Sequence, residues 1–372
     1  MDHSRTIVKN ILARAGISIN GNRPWDITIR DERFYRRVLS QGSLGLGEGY
    51  IDGWWECPAL DQFFYKLGKA NIDDCTVRNL TTALFYLHSR LVNMQTKARA
   101  TKVARQHYDL SPELYMSFLD PYNQYTCGYF KNTTDLNTAQ EQKLELICKK
   151  LQLTNNDRVL DIGCGWGGFT KFASERYGCH VTGITISDKQ AHYAQEFTKG
   201  LPVTIRTCDY RDLGKEQFDK ILICGMIEHV GYKNYHTIMN VVREHLADDG
   251  LFLLHTIGNN TSSTALDPWM DRYIFPNSMI PSLAQLTGAS EGLFVMEDWH
   301  NFGVYYDSTL MAWFKNFENN WSTLAKKFDE RFHRIWKYYF LSCAAAFRAR
   351  NLELWQIVFS KTGLAGGYIS VR

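Results

Sequence analysis

The 372-residue chain contains no apolar run of about 18 residues, so the sequence predicts no helix that spans a membrane. No apolar signal-peptide segment follows the N-terminal residues. The nine cysteines include no C-x-x-C pair, which excludes the common zinc and redox motifs, and no metal is expected. Their scattered, odd-numbered distribution fits a reducing compartment, so we expect a cytoplasmic protein.

The chain also lacks a large excess of charge of either sign. Lys and Arg total 42 and Asp and Glu total 39, which gives a net charge of +3. A protein that coats nucleic acid is expected to be more basic, and no nucleic-acid-binding motif is visible. With 45% hydrophobic and 22% charged residues, the composition is typical of a globular protein with one large or two ordinary domains.

A buried-strand pattern that runs into a glycine-rich turn, Val159 to Gly168, is the most informative stretch. Asp161 lies just before the turn, whose glycines are Gly163, Gly165, Gly167 and Gly168. Glycine lets the backbone turn sharply and approach a ligand, and the helix start that follows suits an anionic group. This order resembles the first motif of class I S-adenosylmethionine (AdoMet) methyltransferases, in which the glycine loop lies against the methionine part of the cofactor.

A nicotinamide-binding loop is the alternative interpretation of these glycines. Gly163, Gly165 and Gly168 also meet the G-x-G-x-x-G spacing of that loop, so the glycines alone do not decide. A nicotinamide site also requires an acid at the end of the second strand. The predicted second strand, Cys179 to Ile186, runs out in Thr-Ile-Ser, and the missing acid favours AdoMet.

Strand and helix patterns alternate from residue 137 onwards, which predicts an α/β fold with a parallel, doubly wound sheet. Ligands of such sheets bind beyond the carboxyl ends of the strands. The predicted strands cover residues 158–162, 180–186, 203–208, 218–224, 250–256, 293–299 and 354–360. The predicted helices cover residues 137–151, 166–177, 188–198, 233–246, 308–325 and 329–348.

The domain organisation follows from where this alternation starts. Residues 1–85 lack it and predict a smaller α+β domain, residues 86–106 predict a linker helix, and residues 107–372 predict the AdoMet-dependent catalytic domain. The proline-containing stretch 258–292 near the carboxyl edge is a candidate substrate lid. The linker has no acidic residue and carries the basic residues Arg90, Lys97, Arg99, Lys102 and Arg105. These form either a solvated face or a surface attracted to anionic phospholipid head groups.

Two polar residues lie at the ends of neighbouring predicted strands. Glu228 follows strand 218–224, and His255 lies in strand 250–256. The carboxyl ends of both strands should face a cofactor seated on the glycine loop. We therefore expect Glu228 and His255 to lie near one another in a cleft and to be functional.

Several segments together resemble the cyclopropane-fatty-acyl-phospholipid synthase family over nearly the whole chain. They are residues 42–56, with Gly-Leu-Gly and Asp-Gly-Trp-Trp, and residues 125–129, 255–258, 297–303 and 344–350. The resemblance is to the bacterial branch that acts on phospholipids, because the shorter mycolic-acid synthases lack such an N-terminal domain. It implies an N-terminal domain that contacts lipid or a second subunit, a homodimer, and peripheral association with the inner face of the cytoplasmic membrane.

The family transfers a methylene group from AdoMet to a cis double bond of a phospholipid acyl chain, with a bound bicarbonate ion as the base. The resemblance implies that this ion is held by Cys127, Glu228, His255, Ile257 through its backbone, and Tyr306. The implied cofactor contacts are Tyr125, Thr126, Asp161, Gly163, Gly165, Thr185, Gln190, Asp209 and Tyr210. Gln190 is expected at the ribose hydroxyls and Asp209 at the adenine amino group.

Cys343 matches a cysteine that the family sometimes treats as an active-site residue, and it belongs to the candidate set. The reaction needs no covalent enzyme intermediate, however, and a cysteine on an Ala-rich helix is usually part of the core.

Two alternative functions remain open. A plain methyltransferase would stop at a methyl group, but transfer to a heteroatom needs no base site, so the combination of Cys127, Glu228, His255 and Tyr306 favours ring formation. A lipid-binding protein with an inactive cofactor fold is the second alternative, and the intact glycine loop argues against it.

Overall fold

The computed structural model describes residues 3–70, 80–97 and 112–372, without the side chains of residues 80–85. The predicted linker residues Arg99, Lys102 and Arg105 lie outside the described residues. The chain divides into two compact units. The first comprises Met1–Val92, Thr264–Pro276 and Asp307–Leu352, and the second comprises Asn93–Ser263, Asn277–Tyr306 and Glu353–Arg372. The domain boundaries given above remain a prediction.

The regular elements are numbered here in chain order. The helices are α1 (His3–Arg14), α2 (Arg33–Gln41), α3 (Ser43–Ile51), α4 (Leu60–Lys69), α5 (Leu80–Leu91), α6 (Pro112–Met116), α7 (Leu136–Lys150), α8 (Gly168–Tyr177), α9 (Asp188–Phe197), α10 (Tyr235–His245), α11 (Pro268–Tyr273), α12 (Leu283–Ser290), α13 (Val304–Leu324) and α14 (Glu330–Arg348). The strands are β1 (Thr28–Ile29), β2 (Trp55–Glu56), β3 (Arg158–Ile162), β4 (His180–Thr185), β5 (Val203–Thr207), β6 (Phe218–Cys224), β7 (Leu246–Gly258), β8 (Val295–Asn301) and β9 (Glu353–Ser360).

The second unit is built on a seven-stranded sheet in the order β5-β4-β3-β6-β7-β9-β8. Strands β3 to β7 pair in parallel, which confirms the predicted α/β class and the doubly wound sheet. Strand β9 inserts antiparallel between β7 and β8, an arrangement that the sequence patterns did not predict. The parallel pairing brings the carboxyl ends of β3, β4, β6 and β7 to one edge of the sheet, where the predicted cofactor and base sites lie.

Apolar residues cover both faces of this sheet. Side chains alternate along β3, so that Leu160 belongs to one buried cluster and Val159 to another. Helix α10 contributes Ile238 to the first cluster, whereas α7 contributes Ile147 to the second. A sheet buried on both faces needs near-continuous apolar strands, which is why the strand positions were readable from the sequence.

The first unit has an aromatic core around Trp55, which is fully buried and lies 5.1 Å from the Phe63 ring. Its neighbour Trp54 is half-buried, with the Arg33 and Arg37 guanidinium groups each 4.5 Å from its ring. Packing requires glycine at position 47 of the Gly-Leu-Gly pattern, because a Cβ there would lie 2.2 Å from the indole ring of Trp269. Within the described residues, no helix combines the length and the apolar character needed to cross a bilayer.

Candidate active site

The glycine turn after β3 has a conformation that other residues rarely adopt. Gly163, Gly165 and Gly167 have φ values of 83°, 54° and 83°. A Cβ at Gly163 would lie 2.7 Å from Met226 Cγ, so this glycine permits the turn after β6 to approach closely. A Cβ at Gly165 would meet no atom within 4 Å, which leaves open space beside the backbone for a ligand.

This open space belongs to a cavity at the carboxyl edge of the sheet. All of its lining residues belong to the second unit, and all nine predicted cofactor residues are among them. The glycine turn ends at Gly168, the first residue of α8, where a Cβ would lie 1.8 Å from the carbonyl oxygen of Tyr122. The segment around Tyr122 therefore packs directly on the glycine turn.

Asp161 is one of the two aspartates that line the cavity, the other being Asp209. The Asp161 side chain is 2% exposed, and no hydrogen bond reaches its carboxylate from the part of the chain that the structure describes. Burial raises the pKa of Asp161 to about 7, and the positive charge of Lys143 opposes this shift. A buried carboxylate in such surroundings needs a cationic or donor group, and the α-ammonium group of AdoMet fits this requirement.

Thr185 and Gln190 lie side by side next to the end of β4. The Thr185 hydroxyl donates to Gln190 Oε1 at 2.9 Å, which fixes the amide and leaves its nitrogen to donate to a ligand. The Gln190 backbone amide in turn donates to Ser187 Oγ at 3.3 Å, the N-cap of α9. This geometry suits contacts to hydroxyl groups such as those of a ribose.

Asp209 and Tyr210 follow β5. Burial tends to raise the pKa of Asp209, but hydrogen bonds from Arg211 hold this pKa below its usual value. The Arg211 Nε and one of its terminal nitrogens each lie 2.7 Å from an Asp209 oxygen. The Arg211 backbone amide also donates to Oδ1, at 3.0 Å, so the carboxylate is fixed in place and Oδ2 is the oxygen that retains a lone pair for a second donor. Arg211, which also lines the cavity, was not predicted as a site residue.

Aromatic rings form another part of the cavity wall. The Tyr115 ring lies 5.4 Å from the Tyr125 ring and 5.7 Å from the Trp166 ring, and all three residues line the cavity. Ring faces attract cations, so this wall suits a ligand that carries a sulfonium group.

Two of the predicted base-site residues, Glu228 after β6 and Ile257 on β7, are in contact. The Ile257 backbone amide donates to Glu228 Oε1 at 2.8 Å. The sequence predicted this amide as a direct donor to a bound ion, whereas the structure uses it to orient Glu228. Glu228 Oε2 is buried and has no hydrogen-bond partner among the described residues. The carboxyl group therefore presents one fixed oxygen and one oxygen that remains for a ligand.

His255 presents a second polar atom of this kind. The amide nitrogen of Gln356 lies 3.3 Å from His255 Nδ1, and because an amide nitrogen can only donate, Nδ1 accepts. Burial lowers the pKa of His255 well below its usual value, so the ring is neutral and its proton lies on Nε2. His255 Nε2 is buried, and the described part of the chain gives it no hydrogen-bond partner. The Nε2–H group of His255 can therefore donate a hydrogen bond to a ligand.

The remaining predicted catalytic residues are distributed over both units. Cys127 is fully buried in the second unit, where its thiol donates to the Gly128 carbonyl at 3.3 Å, and Tyr306 of the same unit is 7% exposed. Cys343 lies on α14 of the first unit. The residues that line the cofactor cavity include neither Cys343 nor the other five predicted catalytic residues. Burial raises the pKa of the Cys343 thiol to about 12, which disfavours the thiolate that a nucleophile requires.

Sequence reasoning missed the buried Lys143 of α7. It is fully buried, and its ammonium group donates to Thr126 Oγ1 at 2.8 Å and to the side chain of Gln124. The sequence does contain evidence that Lys143 is buried. It lies four residues after Ala139 and four before Ile147, on the apolar face of the helix. A charge at such a position indicates a specific buried partner.

The parallel sheet, the glycine turn and the cavity beside Asp161 together define a class I AdoMet-dependent methyltransferase fold. The chain belongs to the mycolic acid cyclopropane synthetase family, whose family model matches residues 95–357. It is similar to the cyclopropane-fatty-acyl-phospholipid synthase of Escherichia coli (strain K12), with 49% identity over 360 residues that cover 97% of this chain and 94% of the relative. The predicted family is thus confirmed, and the protein is an AdoMet-dependent enzyme.

Solved structures agree with this assignment. The cyclopropane synthase MmaA2 from Mycobacterium tuberculosis aligns with a TM-score of 0.66 at 26% identity, covering 73% of this chain and 100% of that one. The mycolic acid cyclopropane synthase CmaA1, complexed with SAH and CTAB, aligns with a TM-score of 0.65 at 27% identity, covering 70% of this chain and 98% of that one.

Proposed function

We propose that this enzyme transfers a methylene group from AdoMet to the cis double bond of an unsaturated acyl chain in a membrane phospholipid, forming a cyclopropane ring with a bound bicarbonate ion as the base. The observation that carries the proposal is a pair of buried polar atoms, Glu228 Oε2 and His255 Nε2, that lack partners in the described residues and lie at two neighbouring strands of a cofactor-binding sheet. Methyl transfer to a heteroatom does not require such a site.

AdoMet, when bound, supplies an electrophilic methyl group on a sulfonium. Asp161 would pair with its α-ammonium group, and Gln190 would donate to the ribose. Asp209 would accept from the adenine amino group, and the ring of the neighbouring Tyr210 would contact the adenine ring. Gly163 and Gly165 keep the backbone close to the methionine part, because neither has a side chain to fill that space.

The chemistry of the Glu228 and His255 groups fits a bicarbonate ion. Burial raises the pKa of Glu228, with backbone hydrogen bonds opposing the shift, so its carboxyl group takes up a proton more readily than an exposed glutamate. Neutral His255 donates through Nε2. Bicarbonate has one hydroxyl and two acceptor oxygens, so it matches a site that contains both kinds of group.

The other members of the site would complete its donor set. The Tyr306 hydroxyl would be a further donor, and the Cys127 thiol would donate to the ion after turning away from the Gly128 carbonyl. The Ile257 amide holds Glu228 in the orientation described above. Bicarbonate bound there would supply the base for the proton that is lost on ring closure. The buried surroundings would also keep water away from a carbocation.

The substrate class is supported by the relative from Escherichia coli, whose name specifies a fatty-acyl phospholipid. A surface of α5 also suits a bilayer. Leu87 and Leu91 on this helix are 50% and 73% exposed, and the exposed Arg90 lies on the same face by helical spacing. Exposed leucines beside a basic residue are typical of a helix at a membrane interface. We therefore propose peripheral association with the inner face of the cytoplasmic membrane and an anionic lipid surface as partner. The family resemblance is the basis on which we also propose a homodimer.

The second described basic residue of the predicted linker, Lys97, forms an ion pair with Asp212 at 2.6 Å. Its charge is thus partly compensated within the protein.

Removal and return of bicarbonate tests the base site. Turnover of the full-length enzyme on vesicles of cis-unsaturated phospholipid should fall at least about tenfold in buffer freed of carbon dioxide, and added bicarbonate should restore it. Unchanged turnover in bicarbonate-free buffer would contradict the role of the ion. AdoMet binding, measured in the same buffers by calorimetry, should not change.

A further inference from the structure

Lys143 is fully buried beside the cofactor cavity, and the proposed function does not use it. Burial lowers the pKa of its ammonium group, and the acidic groups around it oppose this shift. Its side chain lies on α7. Its ammonium group donates to the side-chain oxygens of Gln124 and Thr126, the latter at 2.8 Å. A buried ammonium group is costly unless it has specific partners, so this position requires an explanation beyond helix packing.

The two partners of Lys143 belong to one short segment, residues 124–127. Gln124 and Thr126 line the cavity together with Tyr125, and the next residue is Cys127 of the base site. Helix α7 holds the same segment at a second point, where the amide nitrogen of Gln140 donates to the Thr126 carbonyl at 2.8 Å. A displacement of Lys143 would therefore move the cofactor wall and the start of the base site together.

Lys143 also acts on Asp161 through its charge. The ionisable groups that surround the ammonium are Asp120, Cys127, Asp161, Cys224 and His255. Asp120 is already engaged, since it accepts from the backbone amides of Gln124 at 2.8 Å and Tyr122 at 2.9 Å. The carboxylate of Asp161 has no such partners in the described residues, so Lys143 is the charge that stabilises its ionised form.

We propose that Lys143 is a positioning residue for the cofactor: its ammonium group fixes residues 124–127 and keeps the Asp161 carboxylate charged, so that this carboxylate can bind the α-ammonium group of AdoMet. The inference rests on the cofactor site of the proposed function. It assigns to a buried helical lysine the task of preparing an anionic site for a cationic ligand.

The chain offers a matched control on the same helix. Lys150 is also fully buried on α7, forms a 3.2 Å ion pair with Asp298, and does not line the cavity. Lys150→Met thus removes an equally buried charge without touching residues 124–127 or Asp161. Lys143→Met removes the charge and the donors, Lys143→Gln removes the charge but keeps a donor, and Lys143→Arg keeps the charge.

The experiment is calorimetric titration of the full chain and each variant with AdoMet between pH 6 and pH 8. Without the Lys143 charge, the pKa of Asp161 should rise further, so Lys143→Met and Lys143→Gln should bind AdoMet about tenfold more weakly than wild type at pH 6. The difference should narrow to about twofold at pH 8, where the carboxyl group ionises again. Lys143→Arg and Lys150→Met should keep the pH dependence of wild type.

Wild-type affinity and pH dependence in both charge-removing variants would overturn the proposal, as would an equal loss in Lys150→Met. If Lys143→Met does not fold, as judged by circular dichroism, the comparison of Lys143→Gln with Lys143→Arg decides in the same assay. If the wild-type chain itself binds no AdoMet, the proposed function fails, and that result is distinct from a failure of the Lys143 assignment.

Discussion

The Ile257 backbone amide on β7 donates a 2.8 Å hydrogen bond to Glu228 Oε1, so the carboxyl group that follows β6 is oriented by the backbone of the neighbouring strand. The other carboxyl oxygen is buried without a partner among the described residues. One carboxyl oxygen of Glu228 therefore has a structural role, and the other remains for a ligand. A substitution at Glu228 therefore tests the proposed base site directly.

Glu228→Gln keeps the size of the side chain and an oxygen for the Ile257 amide, but it removes the carboxyl group. We expect the kcat of ring formation to fall about 100-fold to 1000-fold with an unchanged Kd for AdoMet, because the group acts on the base site and does not line the cofactor cavity. Steady-state kinetics and calorimetry measure the two effects. Strong loss of AdoMet affinity with normal turnover at saturation would show that the assignment is wrong.

A buried glutamate elsewhere in the second unit provides the control for that substitution. Glu353 is 5% exposed and accepts from the amide nitrogen of Asn301 at 2.9 Å. Glu353→Gln should affect the free energy of unfolding rather than kcat.

The buried His229 should make the fold less stable in acid. Burial lowers the pKa of His229 to about 4. The unfolded chain takes up this proton near pH 6.5, whereas the folded chain takes it up only near pH 4, so stability is lost as pH falls between these values. His229→Gln should reduce this loss by up to about 1.4 kcal/mol per pH unit. Denaturant unfolding at pH 7.5, 6 and 5 measures the slope, and a slope equal to that of wild type would contradict the prediction.

Gly165→Ala should weaken AdoMet binding more than it weakens the fold. Its φ of 54° is unfavourable for alanine by about 1 to 2 kcal/mol, and a methyl group there would enter the space beside the cavity. Gly200 has a φ of 85°, and a Cβ there would meet no atom within 4 Å, so it carries the same backbone strain on an exposed turn away from the cavity. Gly200→Ala should lower the melting temperature similarly and leave the Kd for AdoMet unchanged. Equal Kd values for both variants would count against the glycine turn as the cofactor site.

Asp298 on β8 should be a main electrostatic contributor to stability in the second unit. It forms ion pairs with Arg372 at 2.7 Å and Lys150 at 3.2 Å, and it accepts from the Ser370 hydroxyl at 2.8 Å. Burial opposes ionisation, but these partners hold the pKa of Asp298 well below its usual value. Its contribution is therefore present above about pH 4 and lost as pH falls further.

Asp298→Asn would leave Lys150 buried without a counter-charge, so we expect a loss of about 3 kcal/mol in the free energy of unfolding at pH 7. A double-mutant cycle with Lys150→Met isolates the pair. Additive effects of the two substitutions would show that the pair is not coupled.

The sequence predicted those parts of the molecule that depend on local patterns. The apolar runs that became β3 and β6 were readable because both of their sides are buried, and the glycines around Gly165 were readable because the turn requires them. The insertion of β9 between β7 and β8 was not readable, because an apolar strand pattern does not specify its neighbours in the sheet.

Two features of the site, the contact made by the Ile257 amide and the buried Lys143, were not predicted from the sequence, for physical reasons. The Ile257 contact with Glu228 is made by a backbone amide, which no residue type reveals. Lys143 is one charge among several on a helix, and only its place on the apolar face distinguishes it from a solvated lysine. The positions of Glu228 and His255 at strand ends and the family resemblance both identified these residues as candidates. Only the structure shows which of their atoms lack partners in the described residues.

The most direct test of the account is the product formed from AdoMet and vesicles of cis-unsaturated phospholipid, analysed by mass spectrometry and NMR. The account predicts a lipid heavier by one methylene group, with loss of the double-bond signal and appearance of a cyclopropane proton signal. A lipid of the same added mass that shows a methyl signal, or no product from an enzyme that binds AdoMet, would contradict it.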